Sequence, residues 1–297
     1  TERREMGGGG WAVWGPALLV TGVPLVVGVL ADWWSCGENS ARKEEVAAEE
    51  DPVMSSSRQS FRLIHKETLT SGAFPVRLFR FALRAGTSLN LPLGHHLMLS
   101  LPRSPIRPYT PISTNDQKGY FDLVIKIYPE GALTPRLDQL ALGDRVSMYS
   151  NAGKFSYERG RYQRIVMLAG GTGMTPMWQI IQEVLRNEEC GERPHMLLLF
   201  GNMTFEDIIM KRELDELAAD HPESLQVVHV LASPPEDSAR REEIRFQGFI
   251  TADVIRECVQ DPLEAPEYLI CGPDAMQKAM VGNLQLLGVP EAQIHVM

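Results

Sequence analysis

Cysteine is scarce in this sequence, and no two cysteines lie close together. The four are Cys36, Cys190, Cys258 and Cys271. Because there is no C-x-x-C pair, neither a zinc site nor a disulfide framework is indicated, and a reducing compartment is expected for the main body of the chain. His95 and His96 are adjacent rather than at ligand spacing, so no metal site is predicted.

Basic charge is also limited, since 29 Lys and Arg residues face 38 Asp and Glu residues and the formal net charge is −9. A chain with this acidic excess is not expected to bind nucleic acid. The distribution is uneven, because residues 60–155 carry a net charge of +6 and residues 156–297 carry −11. An acidic partner would therefore be steered towards the basic part of the molecule.

Charge is absent from Gly7 to Ala31, a run of 25 residues whose body from Trp11 onwards is apolar. About 20 apolar residues cross a bilayer as a helix, and tryptophans lie at both ends of this run. We therefore predict a retained transmembrane anchor over residues 1–34 and a flexible acidic tether over residues 35–59. A cleaved signal peptide is the alternative, although its apolar run usually has only about 7–15 residues.

Short apolar or alternating runs follow the tether, separated by Gly, Pro and Ser. The longest, Tyr120 to Tyr128, is entered by a Lys118-Gly119 turn, and other runs start at Phe61 and Val76. Five or six short strands with one brief helix are typical of a small antiparallel β-barrel. We predict such a barrel over residues 60–155.

The segment Arg107–Ser113, with the sequence RPYTPIS, combines a cation, an aromatic ring and hydroxyls on a backbone stiffened by two prolines. An arginine can fork onto a phosphate, a tyrosine can cover a flat ring, and a threonine can hydrogen-bond a ring nitrogen. Together these properties describe a site for a flavin dinucleotide. An edge strand with ordinary surface polar groups is the alternative interpretation.

A brief helix is predicted after Gly131, with Thr134 as its N-cap and Pro135 as its first helical residue. Free backbone amides at such an N-terminus suit a pyrophosphate. A capped helix without a ligand is the alternative.

From Arg164 onwards the pattern changes to alternating strands and helices, which predicts a doubly wound parallel sheet over residues 156–297. One strand runs into the glycine-rich turn Gly170–Pro176, and another runs into Cys271-Gly272-Pro273. Ligands of open α/β sheets bind at the carboxyl ends of the strands, so both turns are expected to face one crevice.

Four motifs occur in an order and spacing that resemble the ferredoxin-reductase-like flavoproteins, and within them the NADH–cytochrome b5 reductases. The motifs are Arg107-Pro108-Tyr109-Thr110-x-x-Ser113, Gly131-x-x-Thr134, Gly170-Gly171-Thr172-Gly173-x-Thr175-Pro176 and Cys271-Gly272-Pro273. The resemblance covers about residues 61–297 and implies FAD as the bound cofactor with NADH, or else NADPH, as the electron donor.

The resemblance also assigns roles to residues. It places Arg107 on the FAD pyrophosphate, Tyr109 and Thr110 on the flavin ring, and Thr134 on the phosphates. The residues expected to act in catalysis are Thr110, Lys126 and Cys271. Those expected to bind cofactor are Arg107, Pro108, Tyr109, Thr110, Ser113, Ile125, Lys126, Tyr128, Gly131, Leu133, Thr134, Gly170, Gly171, Thr172, Gly173, Thr175, Pro176, Cys271, Gly272 and Pro273.

Three features depart from the family pattern. Ala232-Ser233 stands where an acidic residue is usual after the third strand of the second lobe, which leaves NADPH open as the donor. Residues 150–153 read SNAG in place of Gly-Pro-x-Gly, and the chain ends in Met297 in place of an aromatic residue.

The expected function is that of a membrane-anchored reductase passing hydride from NADH to FAD and then single electrons to cytochrome b5 or another acidic carrier. Its membrane would be that of the endoplasmic reticulum or the outer mitochondrial membrane, with the catalytic domains facing the cytosol. The alternatives are an NADPH-dependent reductase of a quinone or iron complex, and a non-catalytic accessory subunit of a membrane assembly.

Overall fold

The computed structural model describes residues 56–70, 74–186, 194–259 and 267–297. The predicted anchor at residues 1–34 lies outside these ranges, as does most of the predicted tether. No helix within the described ranges is both long and apolar enough to cross a membrane.

The first lobe is a six-stranded antiparallel sheet, and the sequence predicts a small antiparallel barrel in the same residues. Its strands are β1 (Gln59–Thr70), β2 (Val76–Ala82), β3 (His96–Ser100), β4 (Arg107–Tyr109), β5 (Tyr120–Lys126) and β6 (Arg145–Asn151). They lie in the order β4-β3-β6-β1-β2-β5. The backbone N–H of Ile112, just after β4, donates to the carbonyl of Asp122 on β5 at 3.0 Å, so the two ends of this order meet.

The core of the first lobe is formed by side chains that alternate inward along the strands. Phe121 packs edge-on against Phe61, with ring centroids 5.2 Å apart, and is stacked with Phe81 at 5.5 Å. All three rings are buried. Burial of each large apolar side chain stabilises the fold by roughly 1.5–3 kcal/mol.

The second lobe is a six-stranded sheet in which every pair of neighbouring strands is parallel. Its strands are β7 (Arg164–Gly170), β8 (His195–Asn202), β9 (Leu225–Leu231), β10 (Phe246–Gln247), β11 (Glu267–Cys271) and β12 (Ile294–Val296), in the order β10-β9-β8-β7-β11-β12. The helices are α1 (Thr134–Asp138, in the first lobe), α2 (Met174–Arg186), α3 (Lys211–Asp220), α4 (Ser238–Glu242), α5 (Ala252–Cys258) and α6 (Asp274–Leu286).

Alternate residues of each central strand serve two different cores, which is why these strands are apolar throughout. On β7, Met167 belongs to a cluster with side chains of α2 and α3, whereas Leu168 belongs to one with α5 and α6. The sheet is therefore covered on both faces, and the predicted doubly wound α/β architecture is confirmed.

The two lobes share a packed interface, and the described residues fall in one compact unit. Val76 and Val124 of the first lobe belong to the same buried cluster as Met174 and Trp178 of α2. A Cβ atom at Gly94 would lie 2.2 Å from the carbonyl oxygen of Phe155. A Cβ atom never approaches an oxygen so closely, so position 94 requires glycine. Phe155 belongs to the segment that connects the two lobes, and this segment crosses the first lobe at Gly94.

Candidate functional site

The Arg107–Ser113 segment leaves its cation and its aromatic ring available at the edge of the first lobe. Arg107 is exposed, and within the described residues its guanidinium donates only to the neighbouring carbonyl of Ile106, at 3.1 Å. Burial raises the pKa of Tyr109 to about 12, so this phenol stays protonated. Ser113 accepts a hydrogen bond from the backbone N–H of Asp122 at 2.6 Å, which ties the segment to β5.

Tyr128, just beyond β5, lies beside Phe74, with ring centroids 5.8 Å apart and the planes tilted by 40°. Both rings are about two-fifths exposed, at 44% and 41%. Exposed neighbouring aromatic rings are unusual on a free surface and offer a stacking surface for a flat ligand. Tyr128 therefore lies where a cofactor could meet it, whereas Phe74 was not predicted from the sequence.

The predicted N-cap of the brief helix is wrong by one residue. Leu133 is the N-cap, and Thr134 is the first residue of α1. The Thr134 hydroxyl instead accepts from the backbone N–H of Tyr128 at 2.9 Å, which holds the loop around Gly131 closed. Thr134 is buried and shapes this loop, and its predicted contact with a phosphate stays a prediction.

Two predicted cofactor-binding side chains lie in the first-lobe core. Ile125 and Leu133 are 1% and 3% exposed and pack in the same apolar cluster. Only their backbone groups are left to approach a cofactor. Alternation along β5 explains the placement of Ile125, because inward positions on a strand recur every second residue.

The glycine-rich turn and the cysteine turn meet, as the sequence predicted. Gly171–Gly173 form a 3₁₀ turn after β7, and Gly171 has a φ of +53°, in the left-handed region. A Cβ atom at Gly173 would lie 2.3 Å from the carbonyl oxygen of Cys271. The two turns can pack together only because position 173 carries no side chain.

The residues around Gly173 divide into exposed and structural groups. Thr172 is half-buried at the turn, and Pro273 is exposed at the start of α6. Thr175 and Pro176 are buried, and the Thr175 hydroxyl donates to the Thr172 carbonyl at 3.1 Å. The side chains of Thr175 and Pro176 therefore shape the turn.

Cys271 ends β11 with a partly accessible thiol. Burial raises the pKa of this thiol to about 11, although the backbone N–H of Gly272 acts in the opposite direction. The thiol is therefore neutral at physiological pH, which excludes a thiolate nucleophile at this position. A neutral, polarisable side chain suits contact with an uncharged ring.

Lys126 and Asp207 form an ion pair between the lobes that the sequence did not reveal. Nζ of Lys126 is 3.5 Å from Oδ1 of Asp207, and their side chains are 14% and 4% exposed. Strand β5, which Lys126 ends, also contacts the Gly171–Gly173 turn. Asp207 follows the carboxyl end of β8. Ligands of open α/β sheets bind at the carboxyl ends of the strands, so this position is the one feature of the sequence that could have indicated Asp207 as a site residue.

A cleft of about 510 Å³ lies elsewhere, between α2 and α3. Its wall includes Trp178, Leu185, Leu217 and three carboxylates of α3. It does not include the glycine turn, the cysteine turn or the Arg107–Ser113 segment, so cavity size does not locate the site. Among the described residues there is also no group of three metal-ligating side chains.

The site residues fit a flavin dinucleotide and a nicotinamide dinucleotide. Arg107 supplies an exposed cation for a phosphate, and Tyr109 and Tyr128 supply ring faces. The turn at Gly171–Gly173 offers backbone amides at the start of α2, which suits a second pyrophosphate.

Comparison with known protein families agrees with this arrangement. Residues 60–157 match the oxidoreductase FAD-binding domain, and residues 167–282 match the oxidoreductase NAD-binding domain. The chain is 40% identical to NADH-cytochrome b5 reductase 1 of Dictyostelium discoideum over 73% of its own length and 75% of that protein. This protein belongs to the NADH–cytochrome b5 reductase family. It is an FAD-dependent oxidoreductase with FAD- and NAD-binding domains.

Other relatives support the same family. NADH–cytochrome b5 reductase 1 of Arabidopsis thaliana is 34% identical over 80% of this chain and 83% of that protein. The cytochrome b5 reductase domain of Ulva prolifera nitrate reductase superposes with a TM-score of 0.72 at 28% identity, covering 83% of this chain and all of that one. The CS-b5R domains of human Ncb5or, in the NAD+ form, superpose at 0.67 with 31% identity over 81% of this chain and 69% of that one.

Proposed function

We propose that this reductase uses NADH to reduce FAD and passes single electrons to cytochrome b5 or a similar acidic haem protein. The meeting of the Gly171–Gly173 turn with Cys271 and with strand β5 carries this proposal, because residues of both lobes then line one crevice. When bound, FAD supplies the conversion between two-electron and one-electron chemistry that no side chain can perform.

The side chains of the crevice have binding and orienting roles in this proposal. Arg107 anchors the FAD pyrophosphate, and Tyr109 and Thr110 contact the flavin ring. Cys271 supports the nicotinamide face as a neutral thiol, because its raised pKa prevents ionisation at physiological pH. Lys126 supplies a cation on the side where the nicotinamide nucleotide enters.

An anaerobic titration tests the first half of this function. The FAD-loaded protein is expected to lose its oxidised flavin absorbance with one equivalent of NADH, and then to reduce a panel of b-type cytochromes in steady state. Unbleached flavin with either nucleotide would favour the non-catalytic accessory role. Bleaching without cytochrome reduction would favour a quinone or iron complex as the acceptor.

NADPH is a second candidate donor because no carboxylate stands at the expected ribose position. Ala232 follows β9 and is fixed there by a hydrogen bond from its N–H to the carbonyl of Asn202, at 3.0 Å. Neither it nor Ser233 would repel a 2′-phosphate. Comparing kcat/KM for NADH and NADPH tests this candidate.

Membrane anchoring is part of the proposed function and is supported by the apolar run Gly7–Ala31. We place an anchor at residues 1–34, a tether at 35–59, the FAD domain at 60–155 and the nucleotide domain at 156–297. The membrane would be that of the endoplasmic reticulum or the outer mitochondrial membrane, with the catalytic domains in the cytosol. Cell fractionation of the full chain against one lacking residues 1–34 tests the anchor, since only the former should sediment with membranes.

A further inference from the structure

The ammonium of Lys126 lies between the lobes. Its Nζ is 3.5 Å from Asp207 Oδ1 and 5.6 Å from the centroid of the Phe74 ring, and no hydrogen bond from it is found within the described residues. An ammonium has three N–H donors. Lys126 can therefore still donate to an acceptor that a ligand brings.

The Asp207 carboxylate is held rigidly. Its Oδ2 accepts from the backbone N–H of Thr204 at 3.2 Å and from the Thr204 hydroxyl at 3.0 Å. Its Oδ1 is buried and lacks a hydrogen bond in the described part of the chain. One oxygen thus fixes the carboxylate, and the other presents a negative charge to Lys126.

The orientation of Lys126 follows from the sheet register. It pairs with Val76 across β2 and β5, so the two side chains lie on the same face of the first-lobe sheet. Val76 belongs to the buried cluster shared with the second lobe. The Lys126 side chain therefore points towards the second lobe, on a strand that also contacts the Gly171–Gly173 turn.

The geometry of this pair is poor for a purely structural tie. The separation of 3.5 Å is longer than that of a charge-assisted hydrogen bond, and burying two charges costs about as much as their attraction returns. The lobes are joined elsewhere by shorter contacts, such as the hydrogen bond from Gly94 N–H to Gln179 Oε1 at 3.1 Å. A role in ligand binding therefore explains the buried charges of Lys126 and Asp207 better than a structural tie between the lobes does.

We propose that Asp207 is a positioning residue: it holds the Lys126 ammonium in the crevice so that its N–H donors meet an oxygen of the nicotinamide dinucleotide. This inference rests on the proposed function, because it requires the nucleotide to bind beside the Gly171–Gly173 turn. Asp207 makes no contact with the nucleotide itself and acts only through Lys126. The effect of removing its charge must therefore disappear when Lys126 is absent.

A double-mutant cycle on the FAD-loaded full chain tests this dependence. The dissociation constant of NAD+ is measured by calorimetry for the unaltered protein, Asp207→Asn, Lys126→Met and the double variant. Asp207→Asn keeps an acceptor for Thr204, and it is expected to weaken NAD+ binding about 3- to 10-fold. Lys126→Met is expected to weaken it about tenfold or more, since a charge-assisted hydrogen bond is lost. The double variant should bind NAD+ no more weakly than Lys126→Met.

Asp116→Asn is the matched control. Asp116 also pairs with a cation of the other lobe, Arg186, at 2.7 Å, but it is 77% exposed and its partner lies at the far end of α2 from the glycine turn. This variant should bind NAD+ like the unaltered protein. All variants should retain one FAD per chain, which shows that they are folded.

Two results would overturn the inference while leaving the proposed function standing. One is an equal effect of Asp207→Asn with and without Lys126, which would make Asp207 a general structural residue. The other is unchanged or tighter NAD+ binding by Asp207→Asn, which would mean that the carboxylate does not hold Lys126 for the nucleotide. If the unaltered protein neither binds NAD+ nor is bleached by NADH, the proposed function itself fails, and the inference fails with it.

Discussion

The indole Nε1 of Trp178 donates a hydrogen bond to the carbonyl of Ile112 at 3.2 Å. Trp178 lies on α2, which begins at the glycine-rich turn, and Ile112 lies in the segment predicted to bind the flavin. One side chain therefore connects the nucleotide turn to the flavin segment, across the interface between the lobes.

Trp178→Phe should weaken FAD binding about 2- to 10-fold. The change keeps an aromatic ring in the buried cluster but leaves the Ile112 carbonyl without its donor, a loss of roughly 0.5–1.5 kcal/mol. FAD dissociation is followed by the recovery of flavin fluorescence on dilution. Tyr162→Phe is the control, because it also removes one donor to a backbone carbonyl, that of Ser156, away from the flavin segment. Equal flavin loss in both variants would contradict a specific role for Trp178.

Arg107→Ala should lose FAD. The exposed guanidinium has no competing side-chain partner among the described residues, so it is free to fork onto a phosphate. Such a contact is worth roughly 1.5–3 kcal/mol, or about one to two decades of affinity. Equilibrium dialysis measures the change, with the exposed Arg62→Ala of the same lobe as control. Stoichiometric flavin in Arg107→Ala after dilution would show that Arg107 is not a phosphate anchor.

Ala232→Asp should increase the preference for NADH over NADPH about tenfold or more. A carboxylate at the end of β9 would accept from a ribose hydroxyl and repel a 2′-phosphate. The ratio of kcat/KM for the two nucleotides is the measurement, and Ala232→Asn is the uncharged control. A ratio that stays constant in both variants would place the ribose elsewhere.

Cys271 should react slowly with iodoacetamide at pH 7.5. Burial raises the pKa of its thiol from 9.0 to about 11, so its thiolate fraction is about 100-fold below that of an unperturbed cysteine. Labelling, mapped by mass spectrometry, should rise about tenfold per pH unit up to pH 10. The thiol ionises at a lower pH in the unfolded chain than in the folded protein, so its ionisation favours unfolding. Its contribution to the free energy of unfolding is therefore fully present below pH 9 and is lost as the pH rises towards 11. Fast labelling at pH 7.5 would mean that the thiol is not desolvated.

Reduction of an acidic electron carrier should slow steeply with added salt. The first lobe carries +6 and the second −11, and exposed charges are screened beyond about 8–10 Å at physiological salt. Two basic residues of the first lobe are less suited to docking such a carrier, because Arg77 is paired with Asp138 and Arg80 with Asp122.

Arg84 and Lys154 remain exposed, and reversing both charges should raise the KM for the carrier and flatten the salt dependence. Lys278→Glu, on the second lobe, is the control. Flavin reduction by the nucleotide should change much less in all variants. A carrier step that is independent of salt would rule out electrostatic docking.

Local backbone restraints explain why so much of the site was predictable. The prolines around Tyr109 and the glycines at positions 171 and 173 restrict the chain independently of distant contacts, so their motifs could be placed on a strand edge and a turn. The long apolar strands of both lobes were predictable from their alternation or their unbroken apolar character.

Other features depend on contacts between distant parts of the chain. Asp207 and Lys126 are 81 positions apart and meet only when the two lobes pack together, so no local pattern reveals the pair. The strands β10 and β12 have two and three residues, too few to show a period. The Thr134 cap failed for a local reason, because its hydroxyl accepts from the backbone N–H of Tyr128, six residues earlier, and a helix-start signal does not encode that bond.

The close approach of Gly94 to Phe155 also affects how the protein unfolds. Gly153 extends the contact, since a Cβ atom there would lie 2.0 Å from the Gly94 carbonyl oxygen. The segment that joins the lobes is thus wedged against the first lobe by backbone atoms, which cannot rotate away as side chains can. Unfolding of the second lobe must therefore disrupt these backbone contacts with the first lobe, which holds the flavin. Heat or denaturant should accordingly melt both in one cooperative transition, and flavin release should report damage anywhere in either half.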